Sequence, residues 1–385
     1  MRVAPFSLHI DDRAIDDLHA RLSATRWPDE LDAEPWSYGA DLADLKRMTG
    51  YWRDGFDWRA QEAGINGLRQ FRGEAGGFGL HFIHERGQGP APLPLPLLIS
   101  HGWPGSFVEM LDIVPMLADP ARFGGDPADA FDVFVPSLPG YGFSDRPTVP
   151  GMTPLRMAEL FAALMEGLGY SSYGVQGGDW GATVSTWIAR HYPECVRGMH
   201  LNWIPGSYQP PTGPGAPSSE AELAFQATMS AAAAHGVSTH TGIHASRPQT
   251  LGYGLNDSPA GLAAWLIDKF RMLADCDGDI ESAIGLDRLL TNVSVYWFSE
   301  TITSAIRLYR EARGQPLRFE PGERIVPPLG FASFPKEVAT PPYEWVARVY
   351  DVRRWSEMRR GGHFAAMEQP AALAEDIRAF FRLLR

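Results

Sequence analysis

Apolar positions in this chain alternate between two rhythms, short unbroken runs and helical stripes. Leu95 to Ser100 is an apolar run closed by His101-Gly102, and Phe131 to Pro136 is another, followed by Leu138-Pro139-Gly140. Gly174 to Gln176 leads into Gly177-Gly178, and Met199 to Trp203 runs into Pro205-Gly206. Runs of this length bounded by turn residues predict buried strands. Between them, Thr153 to Gly169 reads as a helix: Thr153 can cap it, Pro154 suits its first position, and Gly169 can end it. Leu160, Phe161, Leu164, Met165 and Leu168 share one face of that helix. Val184, Trp187 and Ile188 repeat the spacing until Pro193 stops it. Buried strands alternating with amphipathic helices predict an α/β fold, a mostly parallel sheet covered on both faces. In such sheets chemistry belongs beyond the carboxyl ends of the strands.

The pattern divides the chain into four stretches. Residues 1–90 carry short helices and the tryptophans Trp27, Trp36, Trp52 and Trp58. Residues 91–204 alternate strand and helix. Residues 205–315 open with a Pro, Gly and Ser-rich loop to Ser219 and turn mostly helical, and 316–385 alternate again.

Composition narrows the function classes. With 385 residues, 44% hydrophobic and 21% charged, the chain is expected to be globular with a large core. A net charge of −12 without a basic run argues against nucleic acid and against a polybasic membrane patch. Two distant cysteines, Cys195 and Cys276, offer neither a disulfide framework nor a zinc site. No signal-peptide pattern and no spanning apolar run is present, so a soluble cytoplasmic protein is expected. Neither metal nor cofactor is expected, and His81 and His84, on opposite faces of a strand, do not make a metal pair.

The chemistry concentrates in Gly177-Gly178-Asp179-Trp180-Gly181, between a strand and a helix. That is the context of a nucleophile elbow, whose sharp turn strains the central residue and leaves no room for side chains two positions either side. Its central residue here is Asp179. A carboxylate can attack an electrophilic sp³ carbon and form an ester that is then hydrolysed, which selects strained ethers and alkyl halides over esters and peptides. By itself the pentapeptide reads equally well as a glycine-rich turn with an Asp cap. His101-Gly102-Trp103-Pro104-Gly105-Ser106 upstream can turn a backbone N–H toward the site, so Trp103 and Trp180 are the candidate oxyanion donors. His363, in the glycine loop Gly361-Gly362, is the candidate general base, expected to swing on a mobile loop. Glu337, after the run Gly330 to Phe334, is the candidate acid orienting it, with Glu323 and Asp351 as rivals. The order nucleophile, acid, histidine is that of an α/β-hydrolase.

With these residues in place, the chain resembles the microsomal-type epoxide hydrolases, an α/β-hydrolase family, over nearly its whole length. The likeness rests on Thr25 to Asp29, Trp36 to Gly39, Tyr51-Trp52-Arg53 through Trp58-Arg59, His101 to Ser106, Gly177 to Gly181, Arg247 to Thr250, Asn256 to Pro259 and Gly361 to Ala366. It implies an α/β-hydrolase fold with an N-terminal extension and a helical cap at 205–315. It also implies that Asp179 opens an epoxide to a hydroxyalkyl ester, which His363, oriented by Glu337, hydrolyses with water to a vicinal diol. Cap tyrosines of the family donate to the opening oxygen. Tyr309 falls on one such position, while Tyr296 reads as structural. The other tyrosine position, eight before Pro248, is His240 here, and a nearby family glutamine reads as His244. Two readings of His240 stand level: a replacement donor that adds pH dependence, or a wall of the pocket. The expected partners are a small epoxide and water, with a homo-oligomer open. The competing classes are a haloalkane dehalogenase, which needs N–H donors for a halide rather than a proton for an alkoxide, and a non-catalytic binding relative. The cap aromatics Trp265, Tyr296, Trp297 and Phe298 are expected to line an apolar pocket.

Overall fold

The computed structural model describes residues 1–90, 94–213, 215–234 and 239–385. The expected boundary near residue 90 falls at 91–93, outside the described residues. Among the described residues the core is one sheet of nine strands, β1 (Val3–Phe6), β2 (Gln70–Ala75), β3 (Phe78–Glu85), β4 (Leu95–Ser100), β5 (Phe131–Pro136), β6 (Tyr173–Gly177), β7 (Val196–Leu201), β8 (Ile325–Ser333) and β9 (Tyr350–Glu357). Their spatial order is β1-β2-β3-β5-β4-β6-β7-β8-β9. β4 through β9 pair in parallel, while β1, β2 and β3 form an antiparallel edge joined to β5.

The parallel strands are apolar because both faces are covered: every residue of β5 and of β6 is buried. The helix Pro154–Gly167 starts where Thr153 accepts a hydrogen bond from the Arg156 N–H at 3.2 Å, and the chain leaves it through Gly169 at φ +90°. The strand expected over Met199 to Trp203 lies earlier, at Val196–Leu201. Its neighbour β6 stops pairing at Gly177, opposite Leu201, so Asn202 and Trp203 lie past the ladder and turn toward the site. His81 and His84 do lie on β3 and are spent locally: His81 bonds Ser137 and Gln70, and His84 stacks on Phe134 at 4.1 Å.

Between β7 and β8 the chain leaves the sheet for a run of helices that includes Glu220–Ala234, Thr239–Ser246, Pro248–Asp257, Pro259–Leu273, Leu286–Ser299 and Ile302–Ala312. The N-terminal helices Asp12–Ser23 and Leu42–Asp54 grip this excursion. Trp52, fully buried, donates its indole N–H to Ser294 Oγ at 2.9 Å, Tyr51 donates to Asp287 at 2.7 Å, and Arg21 pairs with Asp257 at 2.8 Å. The Trp-rich start of the chain therefore wraps its own molecule. Among the described residues no helix is long and apolar enough to cross a membrane.

Candidate active site

The turn after β6 shows why its glycines are needed. A Cβ on Gly177 would lie 2.4 Å from Gly181, and one on Gly181 would lie 1.9 Å from the Ser100 carbonyl oxygen. Gly102 is equally constrained, since a Cβ there would meet Asp179 at 2.3 Å. Asp179 sits between these close approaches at φ +45°, a left-handed conformation that an ordinary side chain seldom holds. It is the first residue of the helix Asp179–His191, at the positive end of that helix's dipole.

Around it the expected constellation assembles. The Trp103 N–H donates to Asp179 Oδ1 at 2.7 Å. His101 holds that turn: its Nε2 accepts from the Leu138 N–H at 3.1 Å, so its Nδ1–H donates to the Gly102 carbonyl, and burial lowers its pKa to about 4. The Trp180 N–H lies in the first helical turn, and no bond from it to Asp179 accompanies that of Trp103 among the described residues. His363 Nε2 is 3.4 Å from Asp179 Oδ2, and its Nδ1 is 2.9 and 3.0 Å from the two Glu337 oxygens. The rival acids are engaged elsewhere, Glu323 with Arg190 at 2.6 Å and Asp351 with Arg353 at 2.9 Å. Burial opposes charging His363, but the carboxylates of Glu337 and Asp179 outweigh it and raise the imidazole's pKa well above its usual value.

One expectation is corrected here. The histidine loop is pinned rather than mobile. The His363 N–H bonds the Leu273 carbonyl at 3.1 Å, and the Gly361 N–H bonds Asp275 at 2.8 Å. Glu368 accepts from the N–H groups of Asp275, Gly362 and Phe364 at 2.7 to 2.8 Å. Gly361 and Gly362 are there for closeness: a Cβ on Gly362 would lie 2.8 Å from the Asp275 nitrogen.

Tyr309, buried on the helix Ile302–Ala312, packs edge-on to Trp180 with ring centroids 4.9 Å apart. Burial, and then the charge of Asp179, push its phenol well above the usual pKa, so it is a hydrogen-bond donor at neutral pH. Tyr296 donates to the Gly105 carbonyl at 2.6 Å, the structural use expected of it. His240 stacks on Trp103 at 5.1 Å, and burial lowers its pKa to about 4. Of the two readings that stood level, a ring held neutral by burial is the one that walls the pocket rather than the one that adds pH dependence. Of the aromatics expected around the pocket, Trp265 reaches His244, whereas Phe298 packs on Trp58 at 4.9 Å and Trp297 lies under Arg21. These last two serve the N-terminal grip.

Sequence reasoning missed the floor of the site. A cavity of about 10 Å³, on the order of one water molecule, is lined by Glu109, Gln176, Asn202, Asp179 and His363 among others. Gln176 Oε1 is buried there without a partner among the described residues. Burial, then the charge of Asp179, push Glu109 up to about 8, so it is mostly protonated at pH 7. The available signal was a lone acid inside the apolar run Phe107 to Leu111.

Comparison with known proteins shows what family the chain resembles. Residues 3–110 match the family described as "Epoxide hydrolase N terminus", and residues 96–265 match "alpha/beta hydrolase fold". A putative epoxide hydrolase of Stigmatella aurantiaca is 43% identical, the match covering 100% of this chain and 86% of that protein. Epoxide hydrolase 1 of Sus scrofa is 37% identical over 99% of this chain and 89% of its own length. The solved structure of an epoxide hydrolase of Aspergillus niger is 29% identical with a TM-score of 0.85, covering 100% of this chain and 97% of that one.

Proposed function

The chain belongs to the epoxide hydrolase family and carries its α/β-hydrolase fold, and from that premise we propose that Asp179, His363, Glu337 and Tyr309 open an epoxide to a vicinal diol in two covalent steps. The supporting observation is the bridge made by His363, 3.4 Å from Asp179 on one side and 2.9 Å from Glu337 on the other, with the Trp103 N–H on the nucleophile. Residues 205–315 act as the cap over this site, and the substrate is a small epoxide together with water.

In the first step an Asp179 oxygen bonds to a ring carbon, the carbon–oxygen bond of the three-membered ring breaks, and its electron pair stays on oxygen. That oxygen takes the Tyr309 proton. Esterification removes the charge of Asp179, one of the two carboxylates that hold a proton on His363. The imidazolium then gives up its proton, which restores Tyr309 through solvent, and the ring becomes a base. In the second step neutral His363 takes a proton from water while the hydroxide attacks the ester carbonyl. The amides of Trp103 and Trp180 stabilise the resulting oxyanion. Collapse releases the diol, protonated from His363, and the proton left on Asp179 returns to His363. Glu337 holds the ring's Nδ1 throughout. His240, neutral and stacked on Trp103, walls the pocket.

A single turnover in heavy-oxygen water tests this sequence of bonds. The label is expected in Asp179 and absent from the first diol, and His363→Gln is expected to accumulate a protein adduct of substrate mass. Label passing straight into the first diol, with no adduct in the variant, overturns the ester route.

A further inference from the structure

Opening an epoxide puts charge on one oxygen, and a single phenol supplies one donor to it. His244, on the helix Thr239–Ser246, is fully buried, and its proton can be located without seeing it. The Trp265 indole nitrogen can only donate, and it lies 3.1 Å from His244 Nε2. Nε2 is therefore the acceptor and carries no proton. Burial, followed by the neighbouring His240 and Lys269, lowers the ring's pKa to about 3, so it is neutral in the working range. The one remaining proton is on Nδ1, and Nδ1 is buried without a partner among the described residues.

A buried N–H with nothing to donate to is costly, and at an active site it marks a place kept for an acceptor. The ring around that N–H touches the site directly. Its centroid is 4.7 Å from that of Tyr309, 4.7 Å from Trp103 and 5.6 Å from His240. His240 also has an unpartnered Nδ1, but it lies farther from Tyr309, at 5.9 Å, and no bond among the described residues fixes its tautomer.

Resting on the epoxide reading above, we propose that His244, held by Trp265 as its Nδ1–H tautomer, is a second hydrogen-bond donor to the epoxide oxygen beside Tyr309. It keeps its proton throughout. The ring carbon–oxygen bond still breaks against Asp179, the electron pair still goes to oxygen, and the proton that oxygen acquires still comes from Tyr309. His244 lowers the barrier by stabilising the developing alkoxide.

Asn and Leu at this position separate donor from filler, because an Asn amide nitrogen overlays a histidine Nδ1 and Leu only occupies space. In single-turnover kinetics with styrene oxide, His244→Leu is expected to slow ester formation on the order of tenfold or more relative to His244→Asn, with the rate of ester hydrolysis unchanged in both. Histidine ¹⁵N spectra of the unaltered protein are expected to show a His244 signal with Nδ1 protonated and Nε2 bare, and Trp265→Phe to turn it into a tautomer mixture. These spectra need no variant at position 244 to fold. Equal ester-formation rates for Leu and Asn, or a protonated Nε2 in the unaltered protein, overturn the proposal. Failure of the unaltered protein to form any Asp179 ester instead overturns the epoxide reading beneath it.

Discussion

At single side chains, what matters is where protons sit, and this was the least legible part of the sequence. Asp179, Glu337 and His363 could be named from turn chemistry and chain order, because a G-x-D-x-G turn and a glycine-flanked histidine are local patterns. The protonation of Glu109, His240 and His244 could not, since burial by distant segments decides it. Glu109 carries a testable consequence. Folded, it binds its proton more tightly than in the unfolded chain, with a pKa of about 8 against an ordinary 4.5. The stability it adds is whole below 4.5 and is lost progressively as pH climbs through about 8. Glu109→Gln does not titrate, so its stability relative to the unaltered protein is expected to improve between pH 5 and pH 8 by on the order of a few kcal/mol. Urea melts of both proteins at the two pH values check this, and an equal gap at each contradicts it.

At the level of elements, β4, β5 and the helix after Thr153 were legible almost to the residue, since continuous apolar runs and a Thr-Pro start are unambiguous local signals. β7 was misplaced by its C-terminal end because a strand stops where its neighbours stop pairing, which composition does not encode. Two substitutions probe these elements. Thr153→Ala removes the cap on Arg156 and is expected to lower stability by about 1 kcal/mol with catalysis intact, measured by denaturant melts and steady-state rates. Gly181→Ala drives a methyl into the Ser100 carbonyl, so a loss of several kcal/mol and of activity together is expected, read from thermal unfolding.

Across the whole molecule, the sequence left the N-terminal stretch undecided between its own core and another subunit, because tryptophans seek burial without saying against what. Trp52 answers through Ser294, 242 positions away. Trp52→Phe strips that bond and leaves a buried hydroxyl alone, so a loss of about 1 to 3 kcal/mol is expected. It should be accompanied by faster amide exchange in the helix Leu286–Ser299 and little change elsewhere. The pinned histidine loop ties the same excursion to catalysis from the opposite side. Leu273 and Asp275, at the end of the helix Pro259–Leu273, hold the backbone that carries His363. Any shift of this helix end is passed straight to the imidazole, so the register between His363 and Asp179 is set as much by the helical excursion as by the sheet beneath it.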